Sequence, residues 1–176
     1  MLLGSALLVV AAMTILLGTL FPLLYEALFH DKISVGLPYF DKVFVPLILP
    51  VLWLVPLGPV MHWGDNTQAL VWRSFRRLLL LSLVLGFGIP WFMQGRVYWQ
   101  VGIGLSTGFW IILGTLKHFA HKTGYKIIAI KHLSLGAWGM LWAHMGTAVL
   151  VIGVTVLSHY SVDKDVYMHP GQSLRI

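Results

Sequence analysis

Residues 138–157, WGMLWAHMGTAVLVIGVTVL, form an apolar run that carries a single ionisable side chain, His144. A helix of about 20 apolar residues, rising about 1.5 Å per residue, crosses the roughly 30 Å hydrocarbon core of a bilayer. The run therefore predicts a transmembrane helix. A histidine inside hydrocarbon costs free energy unless it has a partner, a cavity or a cofactor, so His144 is a candidate functional residue.

The rest of the chain has the same character. Of its 176 residues 58% are hydrophobic and only 10% are charged, and the mean hydropathy is +0.83. Soluble domains carry about 25% charged residues. The composition predicts an all-α integral membrane protein, with a bundle of about five transmembrane helices in residues 1–157. The expected spans are 3–27, 43–61, 78–93, 97–116 and 138–157.

Two of these spans have special features. The first has neither a preceding basic residue nor a small-residue cleavage site, so it predicts a retained helix rather than a signal peptide. The second contains four prolines, which remove backbone donors and predict a kinked segment buried among other helices. They are Pro46, Pro50, Pro56 and Pro59.

The basic residues indicate orientation. Seven lie in loops or span ends on one side against a single acid, whereas the other side has five basic and five acidic residues. Because cytoplasmic loops carry the excess of Lys and Arg, the sequence predicts a cytoplasmic N-terminus and an outer, periplasmic C-terminus. The charges lie at the ends of apolar runs rather than on a shared solvated face, which argues against nucleic acid as a partner and for membrane lipid.

The last segment, 158–176, changes character. Apolar and polar residues alternate from Tyr160 to Met168, and a turn signal follows at His169-Pro170-Gly171. We interpret the segment as the start of a truncated outer β-domain, so the chain is expected to be part of a longer protein or one half of a split one. With no cysteine, the chain offers neither disulfides nor thiolate ligands.

Histidine is the residue type that could bind a cofactor here. Seven of the eight histidines lie in loops or at span ends, including His118 and His121, a candidate metal pair that we interpret as solvated surface for want of a third ligand nearby. His144 is expected to have no polar partner within its own helix. Small residues surround it, which lets a helix or a flat ligand approach: Gly136, Gly139, Ala143 and Gly146.

Three interpretations of His144 remain open. It is a neutral histidine bonded to a neighbouring helix, a proton relay, or a ligand of a cofactor such as haem, for which imidazole is a standard axial ligand. A b-type haem with two histidine ligands needs a second intramembrane histidine. The interiors of the first four spans contain none, so that ligand is expected from outside this chain.

Five patches resemble the C-terminal part of the CcmF-type cytochrome c haem lyases, which act in cytochrome c maturation. In chain order they are Leu17 to Pro22 (LGTLFP), Lys32 to Phe40 (KISVGLPYF), Leu57 to Pro59 (LGP), Trp138 to Gly146 (WGMLWAHMG) and Tyr160 to Val166 (YSVDKDV). In that family a histidine of the corresponding helix is an axial ligand of a membrane b-type haem. The resemblance places this role on His144, as the haem-iron ligand of the chain.

The resemblance also implies a reaction and partners. A haem lyase takes haem from a haem chaperone and joins its vinyl groups to the cysteines of apocytochrome c. Residues resembling the family's tryptophan-rich segment and second haem ligand do not occur here, so no catalytic residue is assigned and the chain alone is not expected to be active. The expected location is the bacterial inner membrane or, alternatively, the mitochondrial one. A transporter or permease fragment and a cofactor-free scaffold subunit remain the alternatives.

Overall fold

The computed structural model describes residues 2–31, 33, 39–58, 68–125 and 133–160, of which 40, 41 and 68–74 are described by their backbone alone. These residues form helices and connecting turns, and none of them lies in a strand. The helices are α1 (Leu2–Phe29), α2 (Val45–Leu54), α3 (Gln68–Gln94), α4 (Trp99–Lys122) and α5 (Leu135–Tyr160).

Four of these helices are long and apolar enough to cross a membrane: α1, α4, α5 and the Phe75–Gln94 part of α3. The structure thereby confirms an all-α membrane bundle. Helices α3 and α4 form a hairpin, with a tight turn in which Gly95 adopts a positive φ of 65°. Such a φ favours glycine because it has no Cβ.

Of the second predicted span, 43–61, the structure describes residues 43–58, and the crossing itself stays a prediction. Helix α2 has 10 residues and follows a π-helical turn at Phe40–Phe44, so at about 1.5 Å per residue it covers only about 15 Å. Proline 56 has no N–H to continue the helical hydrogen bonds. The chain tightens instead, and Leu57 N–H donates to Leu54 O at 3.0 Å. The described residues therefore contain four helices of spanning length rather than five.

Helix α4 is the centre of the bundle. It packs against α3 on one side and against α5 on another, and its glycines let the helices approach closely. A methyl group placed at Gly102 would overlap Phe87 of α3, and one placed at Gly104 would overlap Thr155 of α5. Close approach through small residues is the usual mode of helix association in membranes.

Two tryptophans attach α2 to the central helix. Trp53 Nε1–H donates to Thr107 Oγ1 at 3.0 Å, and Trp110 Nε1–H donates to Trp53 O at 2.9 Å. Their rings lie 6.2 Å apart. The paired N–H groups satisfy the polar ends of two large side chains that would otherwise be costly in an apolar interior.

Helix α1 lies beside this core and contacts α2 and the π-helical turn. It buries Ala11, Thr14 and Gly18, which share one face, and its Thr14 carbonyl accepts a hydrogen bond from Tyr39 Oη at 3.1 Å. Most of its apolar side chains are exposed, as expected of a helix that faces lipid or another helix.

At the other end of the chain, α5 continues to Tyr160, three residues past the predicted end of the span at Leu157. The first three residues of the predicted outer segment 158–176, including Tyr160, where the predicted strand starts, are therefore helical. Residues 161–176, including His169, lie outside the described residues, and so do His62 and His132. The outer β-domain stays a prediction.

Candidate functional site

His144 lies in the interior of α5, nine residues after Leu135 and sixteen before Tyr160. At about 1.5 Å per residue it is roughly 14 Å from the start of the helix, well inside a span. Its side chain is half-buried. The structure therefore places the imidazole where the sequence predicts it, within the apolar part of the bundle.

The ring has a hydrogen bond within its own helix. His144 Nδ1 lies 2.8 Å from Met140 O, one turn earlier. A carbonyl oxygen only accepts, so Nδ1 carries the hydrogen and donates. The expectation that α5 contains no polar partner for His144 was wrong, because the backbone carbonyl of residue i−4 lies within reach of a helical imidazole.

This bond determines which nitrogen is available. In a neutral imidazole that donates from Nδ1, the lone pair is on Nε2. Histidines that bind metals through one nitrogen almost always donate from the other to a carbonyl, a carboxylate or water, which fixes the tautomer and the ring orientation. The Met140 carbonyl supplies that second contact here.

Around His144, α5 has two different faces. Ala137, Leu141 and Ala148 are buried. On the opposite side, methyl groups placed at Gly136, Gly139 or Gly146 would have no neighbour within 4 Å, counting the described residues. With 3.6 residues per turn, His144 lies on the side of Leu141 and Ala148, three residues before it and four after it, and about 160° around the helix from Gly146. The open glycine face therefore lies on the side of α5 away from the imidazole.

Across the helix pair, the α4 residue opposite this part of α5 is Thr115. It lies on the α4 face that carries Gly108 and Phe119, and these two residues contact α5 at Ile152 and Trp138 respectively. Because α4 and α5 are antiparallel, Thr115 lies opposite the intervening part of α5, which contains His144.

The Thr115 hydroxyl is buried without a hydrogen bond. Thr115 is only 2% exposed, and its Oγ1 has no hydrogen-bond partner. The other threonines with described side chains all donate to the carbonyl four residues earlier: Thr14, Thr19, Thr107, Thr123, Thr147 and Thr155. A buried hydroxyl without a hydrogen bond costs about 1–3 kcal/mol, so this position is unusual for a purely structural residue.

These features fit one side of a haem site. The available Nε2 is a suitable axial ligand, and the apolar surroundings suit a porphyrin. The second ligand is not identified among the described residues. His118 is half-buried and His121 is exposed near the end of α4, and no group of three or more His, Asp or Glu side chains able to hold a metal occurs in the part of the chain that the structure describes.

No feature of the sequence points to Thr115, because a threonine inside an apolar run usually bonds to its own helix. The Met140 contact, in contrast, follows from helix geometry alone. It could have been anticipated from the i−4 spacing between the two residues.

Comparison with known proteins finds relatives that are all cytochrome c-type biogenesis proteins. The chain is 33% identical to the cytochrome c-type biogenesis protein CcmF of Escherichia coli, over 98% of this chain and 26% of that protein. It is 35% identical to CcmF of Pseudomonas aeruginosa, over 94% of this chain and 25% of that protein. The cytochrome c-type biogenesis protein CycK of Rhizobium meliloti is 34% identical, over 96% of this chain and 26% of that protein.

The chain thus spans about a quarter of the length of the curated relatives it matches. No family model matches the sequence. No solved structure matches either.

Proposed function

The chain belongs to the CcmF-type cytochrome c biogenesis proteins, of which it represents about a quarter, and we propose that it acts in cytochrome c maturation by supplying one axial ligand of a membrane b-type haem. The ligand is Nε2 of His144. The observation that carries the proposal is the Nδ1 hydrogen bond to Met140 O at 2.8 Å, which leaves Nε2 as the lone-pair nitrogen in the interior of a span.

Each residue of the site has a defined part. The Met140 carbonyl orients the imidazole and increases its basicity as a ligand. The apolar side chains on the same side of α5, Leu141 and Ala148 among them, exclude water. When bound, a haem supplies one-electron chemistry at its iron, with a potential that depends on the axial ligands and on burial.

The opposing ligand comes from outside the residues described, as does the surface that meets the substrate. In the proposed system, haem from a haem chaperone is attached to apocytochrome c. Each cysteine S–H of the substrate adds across a vinyl C=C of the haem, forming a C–S bond and transferring the hydrogen to the adjacent carbon. The thiols belong to the substrate, so a chain without cysteine can take part.

The structure offers one argument for the proposed orientation. Because α3 and α4 are antiparallel, the start of α3 and the end of α4 lie at the same end of the bundle, and this brings Arg76, Arg77, Lys117 and Lys122 together. A shared basic end is typical of the cytoplasmic side. With the 43–61 segment as a fifth crossing, this basic end places the N-terminus in the cytoplasm, and we therefore propose a multi-pass protein of the bacterial inner membrane in that orientation.

The test is the haem content of the protein purified with its co-assembling partners. His144→Ala is expected to abolish the b-type reduced-minus-oxidised spectrum, whereas His121→Ala, which alters an exposed histidine of α4, leaves it unchanged. A colourless wild-type preparation would favour a transporter fragment or a cofactor-free scaffold. Equal haem in wild type and His144→Ala would refute the assignment of the ligand.

A further inference from the structure

One edge of the interface between α4 and α5 lies towards α2. Gly104 of α4 packs closely against Thr155 of α5. Thr107, which accepts a hydrogen bond from α2, lies about 60° around α4 from Gly104. Phe119, which also contacts α5, lies about 60° from Gly104 in the opposite direction. The contact between Gly104 and Thr155 is therefore on the α2 side of the interface.

His144 and His118 both lie on this α2 side. His144 precedes Thr155 by three turns and so lies within about 20° of it around α5. His118 follows Gly104 along α4 and lies about 40° from it, in the direction of α2. Thr115 is the α4 residue opposite His144, so His118 is only about 5 Å nearer the end of α4. A haem bound to Nε2 of His144 would adjoin His118.

The His118 side chain suits an anionic neighbour. It is half-buried, whereas His121, one turn later on α4, is exposed. An imidazole has an N–H to donate whether it is neutral or protonated. The sequence has no Asp or Glu between Asp65 and Asp163, so α3, α4 and α5 contain no carboxylate. A carboxylate brought by a bound group would meet donors and cations at this end of the bundle.

A haem brings such carboxylates, because its propionates leave the ring along one edge. Burying a carboxylate without a donor or a cation is costly, so this edge favours the nearest polar and basic surroundings. His144 is nine residues from the start of α5 and sixteen from its end. The nearer end is the basic one, where Lys117 and Lys122 lie on α4. His118 lies between His144 and that end.

We propose that the propionate edge of the haem bound by His144 points towards the basic end of the bundle, and that His118 donates a hydrogen bond to a propionate. This inference rests on the proposed ligation by His144. His118 is a positioning residue, since it holds the haem by its carboxylate and does not touch the iron. Its N–H also offsets the negative charge near the iron, which favours the ferrous state and raises the potential.

The experiment compares haem with its dimethyl ester, in which the carboxylates are blocked, each reconstituted into the protein purified with its partners. With haem, His118→Ala should lower the midpoint potential and speed haem loss about tenfold, as expected for one hydrogen bond to a charged group. With the dimethyl ester, His118→Ala and wild type should agree. His118→Gln keeps a donor and should restore most of the haem retention. His121→Ala, the matched control, should behave as wild type with both compounds.

The outcomes separate this contact from the haem ligation itself. Equal effects of His118→Ala with haem and with the ester, or no effect with either, would overturn the contact. An equal potential shift in His121→Ala would assign the effect to the net charge of the basic end and would also overturn it. Haem that persists in His144→Ala would instead refute the proposed ligand. If His118→Ala lowers the thermal unfolding midpoint, His118→Phe, which keeps a ring of similar size, takes its place.

Discussion

Nδ1 of His144 donates to the carbonyl oxygen of Met140 at 2.8 Å, so the backbone of α5 itself sets the orientation of the imidazole. The acceptor is a backbone atom, so the contact does not depend on the side chain of Met140. Substitution of Met140 therefore leaves the acceptor in place, whereas substitution of His144 removes the lone-pair nitrogen. The site is built into the helix, and its predicted properties follow from the two faces of α5.

Bulk on the glycine face of α5 should leave the haem site intact, because Gly146 lies about 160° around the helix from His144. Gly146→Leu has open space around it, so we expect normal expression and a wild-type haem content. Gly153→Leu is the matched control, since it also has open space and lies about 11 Å further along the same face. A severalfold lower haem content in Gly146→Leu alone would show that the haem approaches the glycine face and not the side of α5 that carries His144.

Close packing of α4 against α5 should make Gly104 intolerant of even a methyl group. The Cβ of Gly104→Ala would overlap Thr155, and we expect a loss of about 1–3 kcal/mol in the free energy of unfolding. Gly88→Ala, in open space on α3, should be neutral or slightly stabilising because alanine favours helix. Reversible unfolding in mixed detergent micelles measures the free energy of unfolding of both variants. Similar free energies for Gly104→Ala and Gly88→Ala would contradict the tight α4–α5 contact.

Two threonines of α4 should respond in opposite ways to replacement by valine. Thr107→Val removes the acceptor of the Trp53 N–H and should cost about 1–3 kcal/mol of unfolding free energy. Thr115→Val removes a buried hydroxyl that has no partner, and should be neutral or stabilising in the chain without haem. A large loss of stability in Thr115→Val would mean that its hydroxyl is hydrogen-bonded in the membrane.

The proposed orientation can be tested because the chain has no cysteine of its own. Single cysteines are placed at Arg96, beside the hairpin turn, and at Tyr125, an exposed residue just after α4. A membrane-impermeant maleimide should label Arg96→Cys in intact spheroplasts and Tyr125→Cys only after permeabilisation, since Tyr125 is expected on the cytoplasmic side. The reverse pattern would place the basic end outside.

Length and hydropathy were sufficient to predict the four long helices, because a span is a property of a continuous segment. They did not predict that helix α2 ends at Leu54, two residues before Pro56, within the apolar run 43–61. The Trp53–Thr107 bond joins residues 54 positions apart within two apolar runs, and no pattern in a single sequence identifies such a pair. His144 was identified as a candidate site residue because an ionisable side chain is rare in an apolar span. The hydrogen-bond partner of its ring is a backbone carbonyl and depends on helix geometry. Haem ligation by His144 stays a prediction.

The central claim is that Nε2 of His144 binds haem iron. The most direct test replaces His144 by glycine, which removes the imidazole, and then adds free imidazole to the purified protein with its partners. We predict that His144→Gly loses the b-type absorption of the membrane haem and that imidazole restores it. A His144→Gly variant with the wild-type spectrum before any imidazole is added would contradict the account.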